Sequence, residues 1–279
     1  MRQKPRPVLL WAIALAMALV FWTAASTGAA SLAERVSETV LPNGLKVLLM
    51  SEPKAPGVTI QVWYKVGSRN EPVGKTGISH MLEHMMFNGT PTIGPKQFSL
   101  TVQRNGGVDN AHTTSDYTAY YEDFAADRVL FGLELEADRM AHLLLGEKEF
   151  QPEHQVVIEE RRLRIEDQPA NVLGEVMRAT TFLAHPYRWP VIGWPSDIEG
   201  YTREDLVQYY RTYYAPNNAS LIVAGDIKKD DLLPKIQALF GKIPRGPDPL
   251  KVVTVEPPQR GERRVSVKKE AELPLVFAV

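Results

Sequence analysis

A chain of 279 residues with 44% hydrophobic content can bury a sizeable core, which excludes a disordered tail. Its 32 basic and 33 acidic residues nearly cancel, so bulk charge points to neither nucleic acid nor an anionic surface, and partners must be argued from sites. The absence of cysteine excludes disulfide frameworks, thiolate metal sites and cysteine nucleophiles, leaving six histidines and the carboxylates as metal ligands.

The first 30 residues follow their own pattern. Arg2, Lys4 and Arg6 precede an uncharged run from Val8 to Trp22, and small residues follow through Ala24, Ala25, Ser26, Gly28, Ala29 and Ala30. This predicts an export signal over residues 1–30, cleaved between Ser26 and Ala30, and hence a periplasmic or secreted protein. The apolar core of about 15 residues is short of the roughly 20 that span a bilayer, so no stable membrane span is expected after removal, an uncleaved anchor being the alternative.

Strand and helix patterns then alternate. Val40 to Met50 carries an Asn43-Gly44 turn between short apolar stretches, and Val58 to Val66 is β-branched, aromatic and partly alternating. Helical spacing runs from Thr76 to Phe87 and from Pro95, read as a first helical position, to Arg104, where Gly106-Gly107 ends it. Thr118 to Phe124 reads as a strand. Amphipathic helices are expected over Asp127–Leu144 and Pro152–Asp167, with further helices over 171–184 and 202–214. Ala219 to Gly225 reads as a buried strand and Lys229 to Phe240 as a closing helix. Clustered helices beside strands favour an α+β layer fold over a regular βαβ repeat.

From Gly241 the texture turns to proline, glycine and charge, with Pro244, Pro247, Pro249, Pro257 and Pro258. The expected organisation is a domain over 31–245, a linker over 246–262, and at 263–279 the start of a truncated second half, with strands at Arg263–Lys269 and Leu273–Val279.

The chemistry concentrates in His80-Met81-Leu82-Glu83-His84. On a helix, His80 and His84 lie four residues apart on one face, where two imidazoles can grip one metal ion, with Glu83 beside them. Two fixed histidines and one fixed glutamate arise by chance in such a chain at roughly the 1% level. The plain alternative is a helix whose histidines only satisfy polar contacts. His112, His142, His154 and His185 are isolated, and are expected at the surface or in hydrogen bonds rather than as ligands. A catalytic zinc usually takes three protein ligands, so a third has to come from elsewhere.

Gly77 to Phe87, followed by Asn110-Ala111-His112-Thr113 and the acidic stretch Glu153 to Glu160, resembles the inverted-motif zinc peptidases of the pitrilysin and mitochondrial processing peptidase type, peptidase family M16. The likeness covers roughly residues 38 to 245. It implies an α+β fold with an antiparallel sheet and helices packed mainly on one side, as in LuxS and the processing peptidases. It also implies one zinc ion held by His80, His84 and a glutamate 76 residues beyond the second histidine, which is Glu160. Glu159 is the near competitor, but Glu153 and Glu160 lie two helical turns apart on one face, whereas Glu159 points about 100° away. Glu153 fits the acidic residue that supports the ligands from behind.

The expected activity is peptide hydrolysis. Two neutral imidazoles and one carboxylate leave zinc strongly Lewis acidic, so that a bound water ionises nearer neutrality. Glu83 is then the general base that takes the water's proton and passes it to the leaving amine. Through the resemblance, Asn110 and Ala111 belong to an edge strand that pairs with the backbone of an extended peptide substrate. Family members pair this half with a second one, so a partner chain of the same type is expected where the second half is separate. The alternative is a non-catalytic binding or assembly subunit that keeps the fold. The complete set of His80, Glu83, His84 and Glu160 argues against it. Nothing in the chain points to a nucleic-acid partner or to a cleavage preference.

Overall fold

The Asn43-Gly44 pair forms the first reversal. Gly44 takes a φ of +92°, the Leu41 amide donates to the Leu45 carbonyl at 2.9 Å, and strands β1 (Val36–Val40) and β2 (Lys46–Ser51) lie side by side. The computed structural model describes residues 35–279, so the expected export signal lies outside the described residues. Four more strands, β3 (Gly57–Tyr64), β4 (Val108–Thr113), β5 (Thr118–Ala125) and β6 (Ala219–Gly225), complete a six-stranded sheet in the order β1-β2-β6-β3-β5-β4.

The α+β class is borne out, and the sheet is antiparallel at β3–β5, β3–β6 and β4–β5. One pair, β2–β6, is parallel. The late strand β6 inserts between β2 and β3, and a strand that antiparallels β3 in that slot runs along β2. On β3 the buried residues Val58, Ile60, Val62 and Tyr64 alternate with half-buried Thr59, Gln61 and Trp63, as expected of a sheet with one covered face. The core on that face joins them to Leu221 and Val223 of the sheet and to helical Leu133, Ile236 and Phe240.

The helices are α1 (Ile78–Met85), α2 (Phe98–Arg104), α3 (Val129–His142), α4 (Glu147–Arg161), α5 (Pro169–Thr181), α6 (Pro195–Gly200), α7 (Arg203–Tyr213) and α8 (Lys229–Phe240). β6 and α8 fall where the sequence pattern puts them. Helix α7 begins at a reciprocal cap, in which Asp205 accepts from the Thr202 amide at 2.7 Å and Thr202 accepts from the Asp205 amide at 3.3 Å.

The two helix starts that differ most from expectation both involve prolines. Pro95 does not open α2, because Lys96 takes a φ of +58° and the helix begins at Phe98. Pro152 does not open α4, which starts at Glu147 and carries the proline inside its second turn. The cost there is one amide hydrogen bond, near an end where helices already lack several. The expected strands at Arg263–Lys269 and Leu273–Val279 are not formed. These residues are mostly exposed and irregular, and no described strand pairs with them, so their backbone gains nothing from extension. No described helix is long and apolar enough to cross a membrane.

Candidate metal centre

Helix α1 presents the histidines because its other face is apolar. Met81, Leu82 and Met85 are fully buried, which turns His80, Glu83 and His84 toward the opposite, partly open side. Its N-terminus is held from outside. Gly77 adopts a φ of +90°, and a Cβ there would sit 2.3 Å from the Ile192 carbonyl oxygen, so only glycine fits. The buried Glu71 carboxylate accepts the Gly77 and Ser79 amides at 2.8 and 2.9 Å, filling two of the helix's unpaired donors. Burial pushes the Glu71 pKa up to about 8 despite these two bonds.

Helix α4 packs against α1 and brings the acids. Glu160 Oε2 lies 3.1 Å from His84 Nε2 and 3.8 Å from His80 Nε2, and one donor atom from each of the three residues falls within 4.8 Å of the others. Glu160 Oε2 and His80 Nδ1 are buried without a hydrogen bond. Converging lone pairs of this kind fit a small cation, and two imidazole nitrogens with one carboxylate are a donor set suited to zinc. Glu159 is exposed and pairs with Arg162. Of the two adjacent glutamates, Glu160 is therefore the one that reaches the histidines.

Glu153 stands behind the group. Its Oε1 is 2.9 Å from His84 Nδ1, and Asn88 donates to its Oε2 at 3.3 Å. With Nδ1–H committed to Glu153, His84 turns its Nε2 lone pair toward Glu160 and His80. The two rings differ sharply. Burial, then the neighbouring His84, lowers His80 to about 4. Burial also disfavours charge on His84, but Glu153 and Glu160 outweigh it and push that ring up to about 9. Close contact with His84 holds Glu160 below the usual carboxylate range.

Glu83 lines the same cavity as His80 and Glu160, and one of its oxygens accepts a hydrogen bond from the Thr113 hydroxyl of β4. Burial raises its pKa, against the Thr113 bond. Strand β4 is the sheet edge beside this cavity, with β5 its paired neighbour. Ala111 and Thr113 line the cavity, whereas the Asn110 side chain folds back to accept the Ala111 amide at 2.8 Å.

The four isolated histidines lie outside the metal group. His154 stacks on Phe150 and donates to the Ile198 carbonyl at 2.6 Å, His142 meets Asp138, His185 accepts the Tyr187 amide, and His112 is exposed beside Trp63. Sequence reasoning missed Glu71, Asn88, Thr113 and Arg161. The last is buried, grips Glu175 of α5 by two 2.9 Å bonds, and donates to the Gly193 carbonyl at 2.7 Å, tying the residue after Glu160 to α5 and to the loop under Gly77. No spacing signal marks these residues: Asn88, Thr113 and Arg161 act through contacts 14 to 65 positions away, and Glu71 acts across a loop of six to eight residues that has no repeat to betray it.

A helix carrying two histidines, crossed by a second helix that supplies a glutamate, beneath an open sheet edge, defines an inverted-motif metallopeptidase centre. The chain belongs to peptidase family M16: residues 46–193 match Insulinase (Peptidase family M16), and residues 200–277 match Peptidase M16 inactive domain. The second match begins in the helices that precede β6, so the border between the two falls inside one folded sheet unit.

Among its relatives, the zinc protease PqqE of Helicobacter pylori is 37% identical over 262 residues, covering 92% of this chain and 59% of that protein. The crystal structure of a protease from Helicobacter pylori superposes with a TM-score of 0.75 at 37% identity, over 80% of this chain and 54% of that one. The first half of the periplasmic protease PqqL from Escherichia coli has a TM-score of 0.72 at 24% identity, over 79% of this chain and 48% of that one, and speaks for the fold alone. The chain thus spans about half the length of the relatives it matches.

Proposed function

We propose that this chain is the metal-binding half of an exported zinc endopeptidase, in which His80, His84 and Glu160 hold one zinc ion. The observation that carries the reading is the convergence of their donor atoms within 4.8 Å, with Glu160 Oε2 3.1 Å from His84 Nε2 and 3.8 Å from His80 Nε2. Zinc held there would supply Lewis acidity toward water and the peptide carbonyl.

The chain's own residues do the rest. Glu83 is the general base, and the Thr113 hydroxyl holds one of its oxygens so that the other is free for the water proton and, later, for the leaving amine. Glu153 fixes the orientation of His84. The β4 edge, with Asn110 and Ala111, takes an extended peptide by backbone pairing, for which Asn110 must release the Ala111 amide. A second M16-type half, in the same polypeptide or in a partner, closes over the cavity.

Export rests on Arg2, Lys4 and Arg6 ahead of the uncharged run from Val8 to Trp22. The test is hydrolysis of an unstructured peptide by the zinc-loaded protein together with its second half, before and after chelation. Cleavage that survives complete zinc removal, or that His80→Ala leaves intact, would rule the reading out.

A further inference from the structure

The cavity beside the metal group has a volume of about 590 Å³, and its far wall is built from α5 and from the turn that follows α4. Ile165, Met177 and Ile192 make part of this wall apolar. Its charges are uneven. Glu83 and Glu160 belong to the centre, and Glu175, the remaining acid on the wall, is clamped by both Nη atoms of Arg161 and offers no free charge.

Two exposed cations line the same cavity. Arg164, four residues beyond Glu160, touches Glu160 Oε1 at 2.6 Å while 74% of its side chain stays exposed. The contact fixes its position and leaves guanidinium donors free. Asn171 donates to the Arg164 carbonyl at 2.7 Å, which holds the backbone of that turn. Arg178, one turn beyond Glu175 on α5, is exposed on the same wall and has no ion-pair partner among the described residues.

We infer that this wall selects peptides with an acidic side chain next to the scissile bond, the carboxylate being received by Arg164 and Arg178 and its methylenes by the apolar residues between them. The inference rests on the peptidase reading above and names its substrate class. Guanidinium groups bind carboxylates in pairs of parallel hydrogen bonds, whereas a lysine or arginine side chain placed here meets two like charges. Because both arginines sit at an open rim, the discrimination is moderate: about five-fold between a glutamate and a lysine peptide at low salt.

The experiment measures binding first, so that it does not depend on turnover. Fluorescein-labelled neutral decapeptides carrying Glu or Lys at each position in turn are titrated by anisotropy into the zinc-loaded Glu83→Gln protein. At one or more positions the Glu peptide binds about five-fold tighter than its Lys twin, and the ratio shrinks in about 0.5 M salt. Arg178→Glu abolishes or reverses the ratio and Arg178→Lys preserves most of it. Ratios at or below one at every position, absence of measurable binding by either peptide, or a ratio unmoved by Arg178→Glu would each overturn the inference. The peptidase reading is judged separately, by whether the wild-type protein with its second half hydrolyses the peptides it binds.

Discussion

Two charged clusters lie on the same side of the sheet, one fully buried and one partly open, and they are built on opposite principles. At Arg139 of α3 the protein supplies its own cation: the fully buried guanidinium donates to Glu136 at 2.9 Å and to Glu122 at 2.7 Å, and lies 4.2 Å above the Phe98 ring and 4.6 Å above Tyr120. At His80, His84 and Glu160 two imidazoles and a carboxylate converge, and the one guanidinium that touches them, Arg164, reaches Glu160 Oε1 at 2.6 Å from a side chain that is 74% exposed. Burial disfavours charge on His84, yet Glu153 and Glu160 push its pKa up to about 9. The first cluster is sealed in the core around its own guanidinium and serves the fold, whereas in the second the donor atoms of His80, His84 and Glu160 approach within 4.8 Å of one another beside an open cavity, which suits an ion from outside.

The sharpest way to break this comparison is at Glu83, which adjoins the metal group without belonging to it. Glu83→Gln is expected to lower kcat for peptide hydrolysis by about 10²–10⁴-fold while zinc stoichiometry stays at one per chain. Parallel loss of metal and turnover, seen by elemental analysis, would make Glu83 a ligand instead. At the other cluster, Arg139→Met strands Glu122 and Glu136 in the core and is expected to cost about 3–5 kcal/mol in urea unfolding. Zinc affinity in the folded fraction should not change, and a change would mean that the two clusters are not independent.

Smaller effects sharpen the picture. Glu153→Ala should weaken zinc binding by about 10–100-fold in a chelator competition, because His84 loses the acceptor that fixes its ring. An unchanged affinity would leave Glu153 with no role at the site. The mildest expectation concerns Glu71, whose folded-state pKa of about 8 lies above its unfolded value. Between these values the folded chain holds the proton more tightly. Its contribution is therefore complete below the unfolded carboxylate range and is lost as pH rises toward about 8. Urea midpoints measured from pH 5 to 9 should fall more steeply for the wild type than for Glu71→Gln, and identical slopes would remove Glu71 as the cause.

Much of the fold was legible wherever local pattern and tertiary demand agree. β6 and α8 sit at their expected bounds because a seven-residue apolar run and an amphipathic stretch each have one good burial solution. Pro95 and Pro152 misled because proline marks a tolerated position near a helix start without saying which one, and α4 starts at Glu147, with Phe150 buried ahead of the proline. The strands expected after Arg263 failed for want of a neighbour. The parallel β2–β6 pair and the buried Arg139 were invisible, since strand order and the burial of a cation are decided by what arrives from elsewhere in the chain.

By itself the sequence determined the chemistry on offer: no thiolates, two histidines and a glutamate on one helical face, and an acidic helix further on, because ligand identity and helical period are local properties. That His84, Glu153 and Glu160 meet, that Thr113 holds Glu83, and that Glu175 is clamped by Arg161 while Arg178 stays exposed on the same cavity, only the tertiary structure decided. The hydrogen bonds among these join residues 14 to 69 positions apart, and they exist because the apolar faces of α1, α4 and the sheet have to be buried together.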